Sequence, residues 1–197
     1  MSMVVHRVAL LREVLKRKSV CHEKCLQQEP TLKDAHIYCV LNGLSAQKFG
    51  PMLERYIIDT FGFVKNSASD CTGDCVKANA NTEIKVSLGG QSHSKFNYVQ
   101  IRVNHQVDKY LLTAYSLNEG NVENQGELFV FRVSHNDMLS LLLHHGTYAH
   151  GTKKANGPIT EEDLNDRQNT KEYALRPTVG DLCWQALLPF RVEEKEL

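Results

Sequence analysis

The sequence predicts an α/β (α+β) fold in which a central mixed β-sheet is flanked by helices, built as one domain over residues 1–197. Three observations predict it. Apolar positions recur with helical spacing up to residue 61, alternate with a period of two from there to residue 133, and return to a capped apolar helix after residue 134. The length of 197 residues matches one domain at the usual size of roughly 100–200 residues. Composition is ordinary for a globular chain, 42% hydrophobic and 23% charged, so a core can form without covalent staples.

Val4, Val8, Leu11 and Leu15 follow a helical stripe, and Arg and Lys gather toward its end, where the helix dipole favours cations. A second helix is expected over 32–41, stopped by Asn42-Gly43. Ser45 can cap a third that runs to about Phe61 and stops at Gly62, with Pro51 either kinking it or marking its first turn. Phe49, Leu53, Tyr56 and Ile57 form its apolar face, and Glu54 stands at the border. Strands are then expected over 61–65, 74–77 and 82–88, with turn character at Ala78-Asn79-Ala80-Asn81 and a stop at Gly89-Gly90. Further strands are expected over 98–103, 109–117 and 127–133. Ser134 to Asp137 is a capping signature that opens an apolar helix over 138–145, ended by Gly146. Residues 146–160 read as a polar loop. A short helix after Thr160 and an apolar patch over 182–190, with Trp184 as core, close the chain.

Charge excludes one class of function. Lys plus Arg and Asp plus Glu both total 23, so the chain does not coat nucleic acid by bulk charge, although a local basic cleft remains open to DNA. Residues 160–197 hold nine acidic and five basic side chains and are expected to face solvent or a partner chain. No run approaches the roughly 18 apolar residues of a membrane helix, and the first residues lack the order of a secretory signal. A soluble, cytoplasmic protein is expected. Of the six cysteines, Cys21/Cys25 and Cys71/Cys75 each enclose three residues, within zinc-ligand range. The competing reading, reduced cysteines acting as small hydrophobes, is preferred because the commoner two-residue spacing is absent.

The residues that carry chemistry are Glu54 on its helix, Asp74 opening a strand, and Glu83 and Lys85 on the hairpin partner. Glu83 and Lys85 share a face because they stand two apart on a strand, and the short turn brings Asp74 beside them. Two hard carboxylates close together suit Mg²⁺, which takes one or two carboxylates and keeps several waters. An ammonium on the same face can hold a water or neutralise a phosphate.

Glu54, Asp74 and Glu83-Ile84-Lys85 resemble the core of the PD-(D/E)xK nuclease superfamily, most of all that of type II restriction endonucleases. The resemblance covers about 45–133, leaving N-terminal helices and a C-terminal recognition and dimerisation region as embellishment. Gly73 stands where the motif has proline, which is often absent in the family, and Asp70 is the alternative first aspartate. The resemblance implies hydrolysis of DNA phosphodiesters at specific sites in double-stranded DNA, in a bacterial or phage host cell. Asp74 and Glu83 would ligate Mg²⁺, with Mn²⁺ able to substitute, and metal-activated water would attack in line. Lys85 would orient that water or stabilise the charge that develops. Glu54 would act through a second metal or an outer-shell water.

Recognition would fall to polar loops, since Asn, Gln, His and Lys side chains read base edges and phosphates. Gln91, His93, Lys95 and Asn97 follow the catalytic strand, while His150, Lys153, Lys154 and Asn156 form a second stretch; Gln100 is a further candidate. His144, His145 and His150 offer a weaker alternative, a His-metal site. A homodimer is expected because duplex sites are commonly two-fold symmetric. The alternatives are a structure-specific repair or phage nuclease on the same core, and a non-catalytic, zinc-stabilised nucleic-acid-binding module.

Overall fold

A computed structural model describes residues 30–67, 71–89, 94–118, 120–151 and 153–197. The helix expected at the N-terminus, Cys21, Cys25, Asp70, Gln91 and His93 lie outside the described residues. Two helices lead in: α1 (Leu32–Leu41), closed at its start by a capping box between Thr31 and Asp34, and α2 (Ala46–Thr60). Pro51 sits inside α2, so the helix continues past the imino acid, and the first turn begins at Ala46.

The central sheet runs in the order β1 (Val64–Lys65), β2 (Cys75–Lys77), β3 (Ala80–Ser87), β5 (Lys109–Ser116), β6 (Glu127–Ser134), β9 (Arg191–Val192). All neighbours are antiparallel except β3 and β5, which pair in parallel from Thr82↔Lys109 to Ser87↔Ala114. It is therefore a mixed sheet with helices on it, as expected. β2 and β3 are joined by a two-residue turn in which Ala78 (φ 51) and Asn79 (φ 59) are both left-handed, the backbone twist that tight hairpins prefer.

Alternation assigns the two faces of the sheet. Ile84, Leu111 and Val130 pack with Leu32, Ile57 and Ile58 beneath α1 and α2. Tyr110, Leu112, Ala114, Phe129, Phe131 and Val133 point the other way, into the larger core that holds Trp184. Trp184 stacks on Phe96 at 5.3 Å and meets Phe129 and Phe131 edge-on, so its expected core role holds. It rides on α6 (Leu182–Leu187), capped by Asp181.

Several expectations need correction. The strand expected over 61–65 is reduced to β1, because Phe61 closes α2 and Gly62 turns with φ 71. The strand over 98–103 forms as β4 (Tyr98–Arg102) but leaves the central sheet. It pairs instead with β8 (Glu172–Leu175), which pairs in turn with β7 (Thr147–Tyr148). Residues 146–160 are thus not simply loop: they contain β7 and the short α4 (Lys153–Asn156). The capped helix α3 (His135–His145) starts at once after Ser134, which accepts from Asp137 N at 3.2 Å, and α5 (Glu161–Asn165) follows Thr160 as expected.

Candidate active site

The β2–β3 ladder pairs Cys75 with Thr82, which sets Asp74, one residue earlier, across from Glu83 on the same face. β2 begins at Cys75, so the N–H of Ile84 has no strand partner on that side. The Asp74 carboxylate takes its place, accepting from Ile84 N at 2.7 Å, while Asp74 N donates to Thr82 O at 3.0 Å. Lys85, two residues past Glu83, donates to Glu83 Oε1 at 2.5 Å. Both side chains are mostly shielded, at 17% and 14% exposure.

Gly73 explains the missing proline. Its φ is +80, and a Cβ there would stand 2.9 Å from Thr82 O. Proline is fixed near φ −65°, so it cannot make this close left-handed entry into the strand. The loop before it is tied by Asn66, whose side-chain amide donates to Thr72 O, Thr72 Oγ1 and Gly73 O, and whose N–H meets Asp74 O at 3.0 Å. Sequence reading missed Asn66, although an Asn beside a turn-rich stretch is the side chain best able to bridge backbone groups.

The electrostatics are those of crowded carboxylates. Burial first, then the charge of Glu83, push the Asp74 carboxyl up to about 6, with Glu54 adding in the same sense. The Ile84 N–H and Lys85 oppose this shift. Glu54 comes from α2 on the opposite face, where it meets Lys65 Nζ at 3.4 Å, yet its charge still reaches Asp74. It can do so because β2 is short and leaves the edge of β3 open beyond Asp74. Among the described residues no three His, Cys, Asp or Glu converge as a ready metal cage. A carboxylate pair remains, which suits Mg²⁺ when phosphate and water complete its shell.

At that open edge lies a groove of about 870 Å³. Glu54 and Lys85 line it, and so do Lys95, Asn97, Gln100 and His150, drawn from three separate stretches of chain. Gln100 reaches it from a bulge in β4, with φ 58 and a break in register between Tyr98 and Ile101. Arg176 secures the wall by donating to Asn97 Oδ1 at 3.1 Å and to Thr147 Oγ1. Lys153, Lys154 and Asn156 are exposed on α4 and do not line the groove. His150 pairs with Glu172 at 3.2 Å, and His144 binds Ser140 O at 2.8 Å, so these two histidines have separate partners.

Cys75 is buried against the α2 face, and its thiol is pushed up to about 12 by burial and by Asp74. No protein-family model, no curated protein and no solved structure matches this chain.

Proposed function

We propose that this protein is a Mg²⁺-dependent endonuclease that hydrolyses phosphodiester bonds at specific sites in double-stranded DNA, in the manner of a type II restriction enzyme. The observation that carries the reading is the register setting Asp74 across from Glu83, with Lys85 next on that face. The mixed sheet, with an antiparallel hairpin followed by a parallel neighbour, agrees with the PD-(D/E)xK resemblance. The groove supports it further, since its lining mixes cationic and amide side chains beside the carboxylates.

Asp74 and Glu83 would hold the ion, and a divalent cation would relieve the crowding that Lys85 only partly offsets. When bound, Mg²⁺ supplies charge neutralisation at the phosphate and acidifies a water. Lys85, tethered to Glu83, presents an ammonium to that water or to a non-bridging phosphate oxygen. Glu54, which lines the groove from α2, would take up a proton from water there or help hold a second ion. Two protomers related by a two-fold axis would address the two strands of a symmetric site.

Incubation with plasmid DNA and Mg²⁺ tests this. Wild type is expected to give discrete fragments, and EDTA to abolish them. Glu83→Ala, Asp74→Ala and Lys85→Ala should each cut at least about a hundredfold more slowly while still binding DNA in a gel-shift assay. Intact plasmid with wild-type protein, across Mg²⁺ and Mn²⁺, would overturn the reading.

A further inference from the structure

A second cleft, of about 660 Å³, shares no lining residue with the groove. Its wall is the 103–108 loop, tied to the hairpin and its approach through Gln106 and through Asp108, whose N–H donates to Asn81 O at 2.9 Å. Gln106 N donates to Cys71 O at 2.7 Å, just before Asp74, and Asn81 Nδ2 donates to Gln106 O at 3.0 Å. The β3–β5 register sets Glu83 beside Tyr110, whose ring stacks on His135 of the cleft, so cleft and carboxylates are neighbours.

The lining is unusual in chemistry. Carboxamides dominate it, with Asn104, Gln106 and Asn136 beside the imidazoles of His105 and His135, and exposed Arg167 at the rim. Among the described residues, three buried side-chain atoms have no hydrogen-bond partner: Asn104 Oδ1, His135 Nδ1 and the Tyr110 hydroxyl. Asn104 and His135 line the cleft, and the Tyr110 ring stacks on His135 at 6.3 Å. Buried polar atoms are almost always paired, so two in one cleft and a third beside it mark a place built for a polar occupant. The volume falls within the usual range for small-ligand sites, roughly 300–1,000 Å³.

We propose that this cleft receives one nucleotide of the DNA substrate, its base drawn out of the stack and its edge read by the carboxamides and the His135 ring. Carboxamides match the donor and acceptor edges of bases, an imidazole offers a face for stacking, and Arg167 suits the attached phosphate. The base is thereby held beside Glu83 and Lys85. That the nucleotide belongs to DNA being cut rests on the nuclease reading above; that the cleft binds a nucleotide does not.

The two parts separate by experiment. Titrating dAMP, dGMP, dCMP and dTMP singly into the metal-free full chain by calorimetry should show at least one binding at millimolar or better affinity. Asn104→Leu and His135→Phe should each weaken that binding about tenfold, the effect of one lost buried hydrogen bond. Exposed Arg167→Ala, which leaves the packed interior alone, should weaken it severalfold. Failure of all four nucleotides to bind, or binding indifferent to the three cleft substitutions, would overturn the site. The bound mononucleotide should also inhibit plasmid cleavage competitively. Cleavage undisturbed by a saturating mononucleotide would overturn its assignment to the DNA substrate. Absence of any cleavage, with nucleotide binding retained, would remove the nuclease reading and leave the nucleotide site standing.

Discussion

Asp74 serves two ends that pull against each other. Its carboxyl sits at about 6, above its ordinary 3.8, so the folded state holds its proton more tightly than the unfolded chain does. Stability from this group is therefore present at low pH and is lost as pH rises from 3.8 through 6. Asp74→Asn, which keeps an acceptor for Ile84 N–H, should stabilise the metal-free protein at pH 7 by between about 1 and 3 kcal/mol while abolishing cleavage. Urea denaturation with and without the substitution measures it, and a less stable variant would contradict the account. His36 carries the opposite sign. Fully buried between Leu32 O at 2.8 Å and Thr113 Oγ1 at 3.0 Å, it is lowered from 6.5 to about 4 by desolvation. The unfolded chain takes up that proton first, so the stability it contributes is lost as pH falls from 6.5 to 4, by about 3 kcal/mol. The unfolding free energy of wild type relative to His36→Gln should fall by about 3 kcal/mol over that interval.

At this scale the sequence reveals what periodicity can reach. Asp74, Glu83 and Lys85 are legible because strand alternation and a short turn determine which residues face each other. Asn66, His105 and Tyr110 were not, since the first two act from irregular backbone and the third looks like any buried strand aromatic.

Among elements, the approach to β2 is the most demanding. Gly73 and Gly62 are both left-handed, but a Cβ at Gly62 meets nothing within 4 Å, whereas at Gly73 it meets Thr82 O at 2.9 Å. Gly62→Ala should cost about 1 kcal/mol, the left-handed penalty alone. Gly73→Ala should cost at least about 2 kcal/mol and slow cleavage as well, because Asp74 moves with it. Thermal melts of the pair provide the contrast, and equal losses would argue against the close approach. Elements were read unevenly for physical reasons. α1 was legible from its stop at Asn42-Gly43, α2 from its apolar face, although Ser45 makes no side-chain capping bond, and α3 from its cap at Ser134 and its apolar run. β4 alternates as a strand should, but alternation does not say which sheet a strand joins. β7 and β8 have two and four residues, too short for a period to register, and tertiary pairing alone defines them.

For the molecule as a whole, and on the nuclease reading, a formal net charge of zero limits how DNA would be held. Contact would rest on the few cations of the groove, chiefly Lys85 and Lys95, rather than on an extended basic surface. Binding in metal-free buffer should therefore weaken with salt on a shallow logarithmic slope, about −2 to −4 for two to four phosphates. Fluorescence anisotropy across a salt series measures it, and a much steeper slope would place the DNA elsewhere. The apolar half of the fold, a sheet with a core on each face, follows from composition and alternation. The groove does not, for its walls come from distant stretches of chain that only the folded sheet order brings together.

Among the described residues β4 has a single strand partner, β8, near the C-terminus. On the ribosome, Asp74, Glu83 and Lys85 would emerge well before β8, the strand that braces the wall opposite them. A nascent chain would thus hold its carboxylate pair while β4 still lacks a partner, and the groove would take shape only once residues 172–175 have emerged.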